Sequence, residues 1–332
     1  MPLSPVCGVL CVPCCCRFFF LFPCAVLFFA LSASFAVRAV LYLRTDYLLD
    51  TIPCLPHLES HLKPTIPLRR PAPRKARKDP IMALLNVDFW GESLQKMCCM
   101  TVILPDRIPT SAKLPVLYQL HGLSDDHSAW ARRSRIEMHV AKYPLVVIMP
   151  DGGRGFYCDA HQGYAYESHI IKDVISFAER FFPVGRSRPW RAIGGLSMGG
   201  YGSLKLALKY PNKFVSVAAH SSATQFAHKP LNFGPNPEFE RIMGPDAPGG
   251  PNDLYALADK LDPQRAPAIR FDCGTDDSLY HGNREFHRHL RKLGIKHHYS
   301  EHPGGHTWDY WDTHVQSALR FHWRYLKHPG RK

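Results

Sequence analysis

Residues Trp190-Arg191-Ala192-Ile193-Gly194-Gly195-Leu196-Ser197-Met198-Gly199-Gly200 decide how the rest of the chain is read. Trp190–Gly194 reads as a strand and Gly199–Lys209 as a helix, with Gly195-Leu196-Ser197-Met198-Gly199 as the junction. A nucleophile at such a junction turns sharply on strained dihedrals, and Cβ atoms on its neighbours would clash, so glycines flank it. Ser197 then projects above the sheet, at the start of a helix whose dipole favours developing negative charge. On its own G-x-S-x-G is a weak pattern. Its place between strand and helix gives it weight.

Working outward, the chain alternates. Met100–Leu104 and Leu114–Leu120 are strand-length apolar runs, followed by a helical pattern over Trp130–Lys142 and a buried-strand run over Leu145–Met149. Tyr166–Phe182 carries Ile170, Ile171, Val174, Ile175, Phe177 and Phe181 at helical spacing and ends before Pro183. Beyond the Ser197 junction, Phe214–Ala219, Ile269–Cys273 and His297–Glu301 read as strands, and Arg284–Leu293 and Trp308–Leu326 as helices. Strands and helices in alternation imply an α/β fold with a mostly parallel central sheet covered on both faces. Ligands bind outside the carboxyl ends of such strands, so the loops after strands hold the chemistry. Thr224–Pro267 breaks the rhythm with eight prolines and one short helical pattern near Leu254–Leu261, an excursion over the strand ends.

A serine hydroxyl needs a base within hydrogen-bond reach, and the base needs an acid to orient it. In this architecture the order along the chain is serine, acid, histidine, each after a strand. Ile269–Cys273 is followed by Gly274-Thr275-Asp276-Asp277, which leaves two candidate carboxylates. His297–Glu301 is followed by His302-Pro303-Gly304-Gly305-His306, where His306, just past two glycines, is better placed than His302. Two backbone N–H groups are needed for an oxyanion. The residue after the nucleophile, Met198, offers one, and Leu123 in His121-Gly122-Leu123-Ser124 after an early strand offers the other.

These pieces resemble the esterase D family of α/β-hydrolases, which holds tributyrin-type esterases, S-formylglutathione hydrolases, feruloyl esterases and mycolyltransferases. The resemblance runs from Met82 to about Tyr325. Its carriers are Asn86-Val87-Asp88-Phe89-Trp90, Met100-Thr101-Val102-Ile103-Leu104-Pro105, Leu120-His121-Gly122-Leu123 and Met149-Pro150-Asp151-Gly152-Gly153. The later ones are Gly195-Leu196-Ser197-Met198-Gly199-Gly200, Cys273-Gly274-Thr275-Asp276-Asp277 and His302-Pro303-Gly304-Gly305-His306-Thr307-Trp308. It implies the α/β-hydrolase fold, with Ser197 as nucleophile, His306 as base, Asp277 as the acid (Asp276 the fallback), and Leu123 and Met198 as oxyanion donors. It further implies hydrolysis of short-chain carboxylic esters through an acyl-enzyme without a cofactor, with S-formylglutathione hydrolysis and acyl transfer as sister activities. Trp130, Tyr157, Tyr164 and Trp308 lie in or beside strand-end loops and are candidates to line an acyl or aromatic pocket. Cys158 sits in such a loop too, but with no evident base it reads as an inert thiol.

The whole chain of 332 residues carries a formal net charge of +13. Residues 1–81 hold ten Lys/Arg against four Asp/Glu, so the remaining 251 residues carry a surplus of only seven. No basic stripe interleaved with aromatics appears there, and no nucleic-acid partner is expected. Seven of eleven cysteines precede residue 55, and the body's Cys98, Cys99, Cys158 and Cys273 fit a reduced, cytoplasmic protein. Phe18–Val37 is an apolar run of 20 residues, about enough to cross ~30 Å of hydrocarbon. Residues 1–81 therefore have three readings: an upstream extension before a start at Met82, a membrane anchor through residues 18–37, or a cleaved export signal. Met82 onward, residues 82–332, is the expected catalytic domain. No His-Glu-x-x-His or Cys-x-x-Cys spacing suggests a metal, and no dinucleotide fingerprint occurs. The competing class is a membrane-tethered binding module without turnover. The oligomeric state is left open, a homo-oligomer included.

Overall fold

A computed structural model describes residues 81–109, 111–229, 236–245 and 247–328, all in the second of two units, Met1–Pro71 and Ala72–Lys332, into which the chain divides. The apolar run 18–37, with the expectations attached to it, lies outside the described residues. Among the described residues no helix is long and apolar enough to cross a membrane.

The described chain opens with an antiparallel hairpin, β1 (Met82–Gly91) and β2 (Lys96–Pro105), and continues through β3 (Val116–Leu120). Two short helices follow, α1 (Ala129–Arg133) and α2 (Ile136–Val140), before β4 (Val146–Pro150). A long helical segment comes next, from α3 (Tyr166–Ser168) through a π-helical turn (His169–Val174) into α4 (Ile175–Phe181). Then come β5 (Arg191–Leu196), α5 (Met198–Lys209), β6 (Ser216–His220), α6 (Pro237–Met243) and α7 (Leu254–Asp259). The chain finishes with β7 (Ala268–Gly274), α8 (Tyr280–Lys292), β8 (His297–His302) and α9 (Trp308–Tyr325).

The eight strands form one sheet in the order β1-β2-β4-β3-β5-β6-β7-β8, parallel from β4 through β8. Alternation of side chains explains why both faces are covered. On β3, Val116, Tyr118 and Leu120 join the core beneath α4, α5 and α8, while Leu117 joins the opposite core with α1, α2 and α9. Val146 and Ile148 of β4 likewise face one way, and Val147 and Met149 the other. Chain order reverses its direction of growth at β3, with β4 on one side and β5 on the other, so a crevice opens between the carboxyl ends of β3 and β5.

Three elements differ from expectation. The hairpin strand β1 is an edge strand whose Leu84, Asn86, Asp88 and Trp90 are exposed, so its pattern lacks the continuous apolar run of the inner strands. Trp130–Lys142 forms two helices instead of one. Ser134 is extended, and Asp312 of α9 takes both the Arg135 N–H at 2.7 Å and the Arg135 guanidinium at 2.8 Å, pulling the chain out of the helix. Finally, α6 forms inside the proline-rich excursion. Asn236 caps it by accepting from the Phe239 N–H at 3.1 Å, and Pro237 at its first position suits a helix start.

Candidate active site

Ser197 ends β5 and caps α5 with φ 53° and ψ −116°, a left-handed backbone conformation that costs a non-glycine residue about 1–3 kcal/mol. Close packing enforces the turn. A Cβ on Gly199 would lie 2.5 Å from the His121 carbonyl oxygen and 2.6 Å from that of Leu120, and one on Gly195 2.5 Å from the Gly199 oxygen. The glycines let the loop after β3 lie against the Ser197 turn. Gly122 sits so close that its own Cβ would be 3.6 Å from that of Ser197.

His306 Nε2 lies 3.0 Å from Ser197 Oγ, and His306 Nδ1 lies 2.8 Å from Asp277 Oδ2. With Nδ1–H donating to the carboxylate, Nε2 is free to accept the serine proton. Asp277 also accepts the Leu279 N–H at 2.8 Å through its other oxygen. Burial opposes its charge, yet hydrogen bonds from His306, the Leu279 N–H and the Ser221 hydroxyl hold its carboxyl below the usual carboxylate range. Of the acidic pair, Asp277 is 5% exposed, while Asp276 faces solvent. His302 lies elsewhere, at 3.1 Å from Ser300 Oγ and stacked on His314. The two loops are laced together by the Thr275 N–H donating to the His302 oxygen at 2.9 Å and the Asp276 N–H donating to the Gly304 oxygen at 3.0 Å.

Leu123 and Met198 both border the space at Ser197. The loop carrying Leu123 is held from below. The Gly152 N–H donates to His121 Nε2 at 2.8 Å, which leaves His121 Nδ1–H to donate to the Gly122 oxygen at 2.8 Å. The Tyr157 hydroxyl donates to the His121 oxygen at 3.0 Å, and Trp130 Nε1–H donates to the Leu120 oxygen at 2.9 Å.

Two of the expected pocket residues thereby change place. Trp130 is 1% exposed and Tyr157 is fully buried, and neither borders the cavities at Ser197. Their polar tips are spent on carbonyls of the segment Leu120–His121, which draws the rings inward. Trp308 does line a cavity of about 360 Å³ beside Ser197 and His306, together with Asp125, Arg133 and Trp311. Arg133 lies over the Trp308 ring, 5.3 Å from its centroid, and 3.4 Å from Asp125.

A second cavity of about 240 Å³ also borders Ser197, walled by Phe156, Phe226, Phe239, Ile242 and Leu279. Sequence reasoning missed this wall. Phe156 and Phe226 are stacked at 3.5 Å, and Phe239 meets Phe226 edge-on at 5.0 Å. A two-pronged ion pair, Arg154 to Glu238 at 2.7 and 2.6 Å, joins the loop after β4 to α6 at this cavity. Phe226 and Phe239 fall in the excursion that has no sequence period, and Phe156 is presented by a left-handed turn (φ 48°), so no pattern marked them.

Cys158 is fully buried, and Lys205 Nζ lies 3.3 Å from its sulfur. Burial raises the thiol above its ordinary value despite that cation, consistent with an inert group. Cys98, Cys99 and Cys273 are also free thiols. Among the described residues no cluster of His, Cys, Asp and Glu is arranged to hold a metal ion.

The Esterase family profile matches residues 91–322 of this chain. An acetyl esterase of Caldicellulosiruptor saccharolyticus is 32% identical over 267 residues, covering 73% of this chain and 98% of that protein. Among solved structures, a fluorophosphonate-binding serine hydrolase of Staphylococcus aureus, substrate bound, matches with TM-score 0.67 and 28% identity over 73% of this chain and 98% of its own. The S-formylglutathione hydrolase of Staphylococcus aureus, as apoenzyme, matches with TM-score 0.65 and 28% identity over 73% of this chain and 99% of its own.

Proposed function

The chain belongs to the esterase family, with the α/β-hydrolase fold, and from that membership we propose that it hydrolyses short-chain carboxylic esters through Ser197, His306 and Asp277. The observation that carries the assignment is the continuous hydrogen-bonded row Ser197 Oγ, His306, Asp277, at 3.0 and 2.8 Å. His306 takes the Ser197 proton as Oγ attacks the ester carbonyl, and Asp277 steadies the imidazolium that forms. The oxyanion is received by the N–H groups of Leu123 and Met198. His306 then returns the proton to the leaving alcohol, and water repeats the sequence on the acyl-enzyme.

The same proton transfer assigns the two cavities. The leaving oxygen must come within hydrogen-bond reach of His306 Nε2. The cavity that contains His306, Trp308, Asp125 and Arg133 therefore takes the alcohol, and the phenylalanine-walled one takes the acyl group. An apolar wall with Phe239 at its edge suits a hydrocarbon acyl chain, and a polar alcohol side suits a hydroxylated leaving group. A thioesterase reading is favoured by one feature: a carboxylate and a guanidinium side by side, Asp125 and Arg133, would match a zwitterionic thiol. The four free thiols of the body support placement in a reducing compartment such as the cytoplasm.

Turnover of p-nitrophenyl acetate tests the assignment. Ser197→Ala should lower kcat by at least about 10⁴-fold, and a variant that keeps its rate would remove Ser197 from the mechanism. Phe239→Ala should raise kcat/KM for a p-nitrophenyl octanoate relative to the acetate by about tenfold, since one wall of the acyl cavity recedes. If the ratio does not move, the acyl group lies elsewhere. S-formylglutathione assayed beside the esters separates the thioesterase reading.

A further inference from the structure

Trp311 of α9 touches the candidate site twice without lying in the row of Ser197, His306 and Asp277. Its ring meets the His306 imidazole at 4.9 Å between centroids with the planes perpendicular. Its Nε1–H donates to Ser221 Oγ at 3.1 Å, in a fully buried contact. Ser221 follows β6 directly and is itself held in left-handed backbone, φ 47°, with its N–H donating to the Asp272 oxygen at 2.8 Å. A serine kept at a conformation that glycine adopts more cheaply implies that its side chain is needed there.

We propose that Trp311 and Ser221 are a coupled pair of positioning residues for His306 and Asp277: the indole fixes the plane of the imidazole, and the Ser221 hydroxyl fixes the indole. An indole N–H can only donate, so Ser221 Oγ is the acceptor in that contact and its own proton points elsewhere. The hydroxyl's remaining polar neighbours are the Asp277 carboxylate, whose charge it favours, and the Cys273 thiol. One buried hydroxyl thus lies between the ring beside the base and the acid behind it. The imidazole must keep two hydrogen bonds at once, to Ser197 Oγ and Asp277 Oδ2, and tilting its plane breaks one or both. The two hydrogen bonds matter most once the imidazolium forms, which happens only after proton transfer, so the pair acts on kcat more than on KM.

The inference rests on the assignment of Ser197, His306 and Asp277, and the experiment keeps the two apart. Steady-state kcat and KM for p-nitrophenyl acetate are measured on the full chain, well below each variant's unfolding midpoint. Ser221→Gly relieves the left-handed backbone but leaves the buried Trp311 N–H without its acceptor, so the two nearly cancel and the midpoint should stay within a few degrees of the unaltered protein's, while kcat falls about tenfold and KM stays within twofold. Trp311→Phe keeps a ring against His306 but loses the N–H. It should fall by a similar factor, and the double variant should fall no further than the slower single one. In a His306→Ala background Ser221→Gly should change the residual rate by less than twofold. A full-rate Ser221→Gly protein overturns the proposal. So do losses that multiply in the double variant, or an equal loss without His306. If instead Ser197→Ala keeps its turnover, the assignment beneath it fails.

Discussion

Ser197 pays for its exposure in backbone strain, and that sets an opposition between stability and turnover at a single residue. Ser197→Gly should raise the thermal midpoint by the equivalent of about 1 kcal/mol while abolishing ester hydrolysis, a pair of changes read by calorimetry and by the p-nitrophenyl assay. Gly199→Ala should do the reverse of stabilising. Its Cβ meets two backbone carbonyls, of His121 and Leu120, that no side-chain rotation can move, so a loss of about 3 kcal/mol is expected, together with a fall in kcat as the Leu123 loop is pushed away. That Ser197 and His306 would meet was legible because a motif at a strand-helix junction and an order along the chain are both local facts. Asp277 over Asp276 came from the family resemblance and not from the residues themselves, since which of two adjacent carboxylates turns inward is decided by the packing of the loop after β7 on the loop after β8. Trp130 and Tyr157 were misplaced for a related reason: a loop offers no period from which the inward direction can be read.

At the scale of elements, a fully buried polar tie runs between the α3 segment and α5. Lys205, fully buried, donates to Glu167 Oε2 at 2.6 Å and to the Tyr157 oxygen at 2.7 Å, while Lys209 at 2.8 Å and the Tyr210 hydroxyl at 2.6 Å hold the other Glu167 oxygen. Burial works against the Glu167 charge, but Lys205 and these hydrogen bonds bring its carboxyl down to about 2. The folded value lies below the ordinary 4.5, so this contribution to stability is present above about pH 4.5 and is lost as pH falls toward 2. Glu167→Gln leaves the Lys205 charge uncompensated and should cost about 3 kcal/mol, seen as a lower urea midpoint with an unchanged slope. Inner strands and long amphipathic helices were readable from period alone. The edge strand β1, the break at Ser134 and the short α6 were not, because each depends on a partner distant in sequence: the β2 ladder, Asp312 of α9, and the packing of Phe239 on Phe226.

Across the whole molecule, histidines buried in the neutral form set the response to acid. Burial, with the nearby charges of His220 and Arg270, brings His322 down to about 3, and burial brings His314 down to about 4 against the pull of Asp272. His287 donates to His297 at 2.7 Å, and His297 donates to the Ile295 oxygen at 2.8 Å, a chain in which the accepting His297 must be neutral, and burial lowers both imidazoles. Unfolded histidines take up protons near pH 6.5 while these do not, so stability should decline as pH falls from about 6.5 toward 4, with the thermal midpoint dropping steadily over that window. A flat midpoint between pH 7 and 4 would contradict it. We also expect protein beginning at Met82 to keep the kcat of the full chain, which side-by-side assays would check. Finally, β5, β6, β7 and β8 are neighbours, and the turns after them carry Ser197, Ser221, Asp277 and His306 in that lateral order. The proposed machinery is laid out like teeth along one margin of the sheet, with the imidazole on the outermost tooth, where among the described residues a strand has a neighbour on one side only. Mild denaturant should loosen that margin first, so enzyme activity ought to vanish while most of the ellipticity persists, and catalysis would serve as an early gauge of wear at the sheet's open border.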